Sequence, residues 1–199
     1  MGLLSKLDAV NRILLKSGRS PVSTLGGTSV SAPILAEKEL DDACRRIQAP
    51  GLSYNTTIKV YSPDTDGRIS LPSNTLSADG AYTNGGDNVT VRGGTAPYLY
   101  DMTDDTDVFT DDVYLRVVRL LAFVDMPDSD QEWATDLAAQ IFQMTNVGDQ
   151  VQDALLGQIA ATSRAKARAE EARRRESNVL DNTSSDRLGS RRQYRRGSW

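Results

Sequence analysis

The period of the apolar residues changes twice along this chain, and that limits the folds open to it. Leu3, Leu7, Val10 and Leu14 recur at spacings of four and three, which sets them on one face of an amphipathic helix. Gly18 is a natural stop just beyond it. After a loop of Ser, Thr, Gly and Pro over 19–31, Ser31 can cap a second helix, with Pro33 in its first turn. Ala36, Leu40, Ala43 and Ile47 form the next apolar stripe, and Pro50-Gly51 ends it. The pattern then turns strand-like. Residues 53–61 (SYNTTIKVY) are rich in Thr, Tyr, Ile and Val. PDTDG at 63–67 has turn chemistry, and 68–71 is expected to answer as a short paired strand. Further strands are expected at 89–92, 98–100 and 113–121.

Helical period returns after Pro127. Asp128 or Ser129 can cap a helix to about residue 143, with Trp133, Leu137, Ala138 and Ile141 on one side. Val147, Val151, Leu155 and Ile159 stand four apart and predict the packing stripe of a fourth helix. The stripe then narrows to Ala161, Ala165, Ala169 and Ala172 among Arg, Lys and Glu. Glu170–Arg174 and Glu171–Arg175 are i,i+4 pairs in the favourable order, worth a few tenths of a kcal/mol each. They would support an exposed helix running beyond the main body. From residue 177 the apolar content collapses. The expected fold class is α+β. An antiparallel helical bundle formed by both chain ends (1–50 and 126–176) carries an inserted small antiparallel β-domain (51–125) and an extended basic C-terminal arm (177–199).

The 199 residues allow one domain or two small ones. Histidine is absent, which removes the commonest general base and metal ligand. Cys44 is the only cysteine, so no intrachain disulfide forms, and a buried small side chain is its expected role. No apolar run approaches the roughly 20 residues that span a bilayer, and no membrane role is expected. Asp8, Asn11 and Arg12 interrupt any signal-peptide pattern, so use in a cytoplasm, or in a particle assembled there, is expected. The net charge of −4 conceals an asymmetry. Residues 161–199 hold eleven Lys/Arg against five Asp/Glu, so the other 160 residues carry −10. A basic end on an acidic body suggests an arm seeking an acidic partner.

Three constellations could carry chemistry. The loop 101–112 holds Asp101, Asp104, Asp105, Asp107, Asp111 and Asp112, an oxygen-rich stretch without the Gly and terminal Glu of a calcium loop. It is read as a solvated loop or a surface for a basic partner. Glu132 and Asp136 lie one helical turn apart, and paired carboxylates can hydrolyse glycosides. The plain reading is the wet face of a helix. The basic end carries Arg173, Arg174 and Arg175, then Arg187, Arg191, Arg192, Tyr194, Arg195, Arg196 and Trp199. Arginine with aromatics suits phosphate contact and base stacking, and it equally suits a protein interface. A merely solvated end is the third reading. No cofactor is expected.

Several stretches, in order, resemble the tail tubular protein A family of short-tailed phages. AVNRILLKSGRSPVSTL (9–25) looks like the family's opening helix and G-x-x-P-V-x-x-L turn. GLSYNTTIKVYSPDTDGRISLP (51–72) resembles its first β-hairpin, and YLYD (98–101) its later Tyr-Asp step. LLAFVDMPDSDQEWATDLAAQIF (120–142) is similar to the strand, proline turn and helix that re-enter the bundle. The resemblance implies a non-enzymatic virion protein, an adaptor ring of twelve copies between portal protein and tail nozzle protein. Such a ring extends the channel for genome DNA and supports tail fibres. The competing classes are a DNA-contacting tail protein and a tail-associated cell-wall hydrolase.

Overall fold

The computed structural model describes residues 4–26, 31–81, 88–146 and 148–181. The fold is α+β. Helices α1 (Lys6–Lys16) and α2 (Ala32–Gln48) precede the strands. Helices α3 (Asp128–Asn146) and α4 (Gln150–Asp181) follow them. Strands β1 (Thr56–Tyr61), β2 (Thr75–Gly80), β3 (Val89–Arg92), β4 (Tyr98–Asp101) and β5 (Val113–Arg119) lie between. The Ser5 hydroxyl caps α1 by accepting from Asp8 N at 3.1 Å. Gly18 follows α1 with φ of 69°, a value that suits glycine. Ser31 stands at the N-cap of α2, but its hydroxyl makes no capping bond there.

α3 is the central helix and touches α1, α2 and α4. Its burial extends around much of its circumference: Gln131, Ala134, Thr135, Ala138, Ala139, Phe142 and Gln143 are all enclosed. The helical core adds Val10, Ile13 and Leu14 of α1 and Ala36, Leu40, Ala43 and Ile47 of α2. The α2 set is the stripe expected from its spacing; in α1 Val10 and Leu14 are buried as expected, Ile13 joins them, Leu7 is half-buried and Leu3 lies outside the described residues. Trp133 and Leu137 pack against its edge.

α4 departs from expectation. Val151, Leu155 and Ile159 are 82%, 57% and 37% exposed, and Ala161, Ala165, Ala169 and Ala172 are exposed too. The side chains turned inward are Leu156, Ala160, Ser163, Ala167 and Glu171. The reason is geometric. A step of four residues overshoots one turn of 3.6, so a strict run of fours winds around the helix. Val147 lies outside the described residues. Glycine allows the two helices to approach: a Cβ on Gly157 would meet Gln140 at 3.1 Å.

The β-region has two sheets. One has the order β1-β5-β2, antiparallel throughout, and the other pairs β3 with β4. A second core of Ile69, Leu71, Ala78, Leu99, Leu115 and Val117 lies within this region. The expected hairpin between 53–61 and 68–71 does not form. Asp64 does close the PDTDG turn, accepting from Asp66 N and Arg68 N at 2.9 and 2.8 Å. Beyond the turn, however, the chain bonds to β4: Leu99 N donates to Ile69 O and Leu71 N to Pro97 O, both at 2.9 Å. β5 takes the place beside β1, with Thr56 opposite Val118 and Tyr61 opposite Val113. In this arrangement Ile69 and Leu71 are buried in the β-core.

The chain passes between the two cores twice, and buried amides fasten both passages. Gln48, wholly enclosed at the end of α2, donates from Nε2 to Leu121 O at 3.1 Å and accepts from Leu121 N at 2.8 Å. Asn55 Nδ2 donates to Gln48 O and to Arg119 O at 3.0 and 2.9 Å. Gln131 Nε2 donates to Phe123 O and Met126 O, while its Oε1 accepts from Leu4 N at 3.0 Å. Gly51, with φ of 79°, makes the outward turn, and a Cβ there would strike Val118 at 2.9 Å. We expect Gln48→Leu to destabilise the chain by about 2–4 kcal/mol, since it strands both backbone groups of Leu121. Urea unfolding checks this, and a loss under about 0.5 kcal/mol would contradict the assigned role.

Candidate interaction surface

Of the ten side chains assigned to partner binding, Arg173, Arg174 and Arg175 fall in the described part of α4. Arg187, Arg191, Arg192, Tyr194, Arg195, Arg196 and Trp199 lie outside the described residues. Arg174 and Arg175 sit beside the outward passage to the β-region, and the three arginines have different surroundings. Arg173 is exposed. Arg174 turns inward, with Nη2 on Asp130 Oδ2 at 3.1 Å and its guanidinium 5.6 Å from the centre of the Tyr54 ring. Arg175 donates from Nε to Glu171 Oε1 at 2.8 Å and from Nη2 to Gly51 O at 3.2 Å.

Glu171 is the centre of this arrangement. Its position on the inward face of α4 points the carboxylate at the turn after Gly51. There Oε1 accepts from Ser53 N at 2.8 Å and Oε2 from the Ser53 hydroxyl at 2.7 Å. Sequence reading had placed Glu171 only in a surface pair with Arg175. That bond exists, but Ser53 is the partner that decides the function of the residue. It lies 118 positions away and no local pattern signals it.

The carboxyls here are shifted in opposite senses. Burial pushes Asp130 above its ordinary value, and Arg174 opposes this without cancelling it. Burial works to raise Glu171 too, but the hydrogen bonds from Ser53 and Arg175 outweigh it and hold that carboxyl below its ordinary value. Burial, reinforced by the Asp130 charge, also raises the Tyr54 phenol. A cleft of about 340 Å³ opens alongside, with Pro50, Leu52, Trp133, Arg168 and Arg175 among its walls.

The other candidates resolve simply. Glu132 Oε2 holds Lys166 Nζ at 2.6 Å, and Asp136 pairs with Lys16. Each carboxylate of that pair is thus engaged by its own lysine. Cys44 is buried, and burial with the nearby Asp41 charge pushes its thiol up to about 12, which leaves it unreactive. In the acidic loop Asp101 Oδ1 accepts from Thr103 N and Asp104 N, the Tyr100 hydroxyl donates to Asp105, and Arg68 pairs with Asp107 at 2.6 Å. Among the described residues no group of three or more His, Cys, Asp and Glu side chains could hold a metal ion. No helix among them is long and apolar enough to cross a membrane.

Glu171 gives the clasp a defined pH response. A lowered folded value means its contribution is full above the unfolded 4.5 and disappears as pH falls through the folded value. Asp130 acts in the opposite sense, because its folded value is raised above 3.8. We expect Glu171→Ala to cost about 1–3 kcal/mol at neutral pH. The cost should shrink as pH drops below 4.5. Urea midpoints of both chains between about pH 3 and 7 test this, and a cost independent of pH would contradict it.

A family model described as tail tubular protein matches residues 7–177. Tail tubular protein A of Klebsiella phage KP34 is 29% identical over 146 residues, which cover 73% of this chain and 75% of that protein. The match runs through both helical segments, the β-region between them and α4 as far as the Glu171 clasp. The chain belongs to the tail tubular protein family, structural components of phage tails.

Proposed function

We propose that this chain is the subunit of an adaptor ring joining the phage portal to the tail nozzle. In this reading about twelve copies sit beneath the portal protein, extend the channel through which genome DNA passes, and support the nozzle protein and tail fibres. Subunits of a closed ring meet head to tail through two different surfaces. The role is architectural, without catalysis. The working division is an antiparallel helical bundle from 1–50 and 126–176, an inserted β-domain at 51–125, and an arm at 177–199.

The observation that carries the reading is the clasp of α4 onto the start of the β-region. Glu171 and Arg175 bond to Ser53 and Gly51, so the helical and β parts are held at a fixed angle right where the arm begins. A part that must transmit position between two neighbours needs such a joint. Family membership supports the tail setting.

The arm, with Arg187, Arg191, Arg192, Tyr194, Arg195, Arg196 and Trp199, then serves as the portal-docking element, anchored by its two aromatics. A chain ending at Glu176 should keep its thermal midpoint and lose portal binding in a pull-down by roughly thirtyfold or more. Undiminished binding would sink this role. A second reading, DNA contact by the same arginines, is favoured by the exposed Arg164, Arg168 and Arg173 on α4. It requires affinity of the isolated chain for DNA that falls steeply with salt. The β-domain faces the nozzle or fibres in this scheme. Cross-linking in particles should therefore join the 64–68 turn to those proteins, and a cross-link to the portal would reverse the polarity.

A further inference from the structure

β1 forms one edge of the three-stranded sheet, whose order is β1-β5-β2. Asn55 O accepts from Arg119 N at 2.9 Å, and the antiparallel register alternates from there. Thr57, Lys59 and Tyr61 therefore exchange backbone bonds with β5. Ile58 and Val60 turn their N–H and C=O groups away from it, and among the described residues no other partner takes up these four groups. Ile58, Lys59 and Val60 are all exposed, Ile58 by 50% and Val60 by 44%. Successive strand residues point to opposite faces, so three exposed in a row show that the edge itself is open. The other edges of the β-region are blunted or covered, as edges usually are. β2 has a register shift between Thr75 and Ser77, then Asp79, and it touches β3. β4 is bonded by the chain at 69–71, where Leu99 N donates to Ile69 O. β1 pairs in unbroken register and holds no proline or glycine, and of TTIKVY only Lys59 is a poor strand former. A straight apolar edge of this kind is a template for an added strand.

The side chains beside the edge define what that strand carries. Arg116 lies opposite Ile58 on the outer face of the sheet. Its guanidinium extends toward Gly51, where an added Cβ would lie 3.1 Å from Nη2. Asp79 is its neighbour in register on β2, yet Arg116 makes no ion pair among the described residues. A groove of about 250 Å³ lies here, walled by Gly51, Ser53, Thr56, Ile58, Arg116 and Arg175. Thr56 Oγ1 is enclosed without a hydrogen-bond partner among the described residues. Arg175 is already held by Glu171 and Gly51 O, so Arg116 is the charge left to neutralise. A guanidinium and a hydroxyl without partners beside one groove fit a carboxylate.

The chain's own segments do not supply that strand. Two β1 edges laid together would set Lys59 and Arg116 of one copy against those of the other, which like charge disfavours. Residues 182–199 carry Arg187, Arg191, Arg192, Arg195 and Arg196, with Asp186 their only acid. The acidic stretch 101–112 is bonded into its own turn, Asp101 N to Thr106 O and Phe109 N to Gly67 O, so it is not free to extend.

We propose that β1 accepts an extended segment of another tail protein as an added strand. The main chain of that segment bonds to Ile58 and Val60, and one of its carboxylates meets Arg116. The proposal rests on membership of the tail family and not on the ring reading, and it holds for any number of copies. Main-chain bonds supply the affinity of such pairing, and alternate side chains supply its specificity. The exposed apolar surface of Ile58 and Val60 is covered in the same step.

Hydrogen exchange read residue by residue separates main-chain pairing from side-chain docking. In the isolated full-length chain the amides of Thr57, Lys59 and Tyr61 should exchange slowly and those of Ile58 and Val60 fast. In assembled particles Ile58 and Val60 should slow by roughly a hundredfold or more. A benzophenone amino acid in place of Lys59 should cross-link, in particles, to an Asp- or Glu-bearing segment of a different protein. Arg116→Glu should cut that yield about tenfold or more, and Arg116→Lys should keep most of it. Amides of Ile58 and Val60 that exchange as fast in particles as in the isolated chain overturn the added strand. A cross-link to a second copy, no cross-link, or an undiminished yield with Arg116→Glu overturns the assigned occupant.

Discussion

The buried amide bonds of Gln48 hold the two halves of this molecule together. The chain leaves the helical core after α2 and re-enters it before α3, and both crossings pass the same point. Gln48 donates to and accepts from the backbone of Leu121 there, so the outgoing and returning strands are tied to one side chain. Asn55 extends the tie by donating to Gln48 O and Arg119 O. The side-chain amides of Gln48 and Asn55 are thus bonded at both ends without water, as a low-dielectric junction favours. An apolar residue at position 48 would fill the volume but leave Leu121 unbonded. The geometry of the β-region relative to α3 follows from this tie and from Gln131, which fixes the returning turn at Phe123 and Met126.

α4 depends on that junction. It packs along α3 by Leu156 and small residues, with Gln152 bonded to Gln143 and to Lys16 O and Lys166 paired with Glu132. The clasp of Glu171 on Ser53 and of Arg174 on Asp130 adds a fixed point toward its far end. A buried ion pair contributes little net stability, because desolvation consumes most of the attraction. Its value here is positional. Asp130 and Glu171 both hold the Arg174 guanidinium beside Tyr54, at 3.1 and 3.4 Å, so the register of α4 is enforced even though the pair with Asp130 is not strongly stabilising.

How much of this could be read from the sequence follows from the range of each interaction. The stripe of α2, and Val10 and Leu14 of α1, were legible because local period largely decides which face a short helix buries. The turn at 63–67 was legible for the same reason, since Asp64 acts on residues two and four positions away. The partner of β1 was not. Thr56–Tyr61 meets Val113–Arg119 across more than fifty intervening residues, and the nearer 68–71 segment looked equally suitable. β2 (Thr75–Gly80) was missed altogether, because TLSADG lacks strand composition and owes its state to pairing with β5. In the candidate site, Arg173–Arg175 were legible as charge. Their different fates were not, because Ser53, Tyr54 and Asp130 are distant in sequence.

The misread stripe of α4 has a physical lesson of its own. Val151, Leu155 and Ile159 carry enough apolar surface to drive burial, yet the folded chain turns Leu156 and Ala160 inward instead. Polar contacts at both ends of the helix go with that orientation, since Gln152 donates to Lys16 O near its start and Glu171 accepts from Ser53 near its end. The Glu171 carboxylate must face Ser53, and the rigid helix then carries Leu156, Ala160, Ser163 and Ala167 to the same side. Turning the larger side chains inward would swing Glu171 away from Ser53 and crowd the close approach at Gly157. The polar anchors and the small buried residues thus share one face of α4, and Val151 and Leu155 fall outside it because a rigid helix cannot bury both sets against α3.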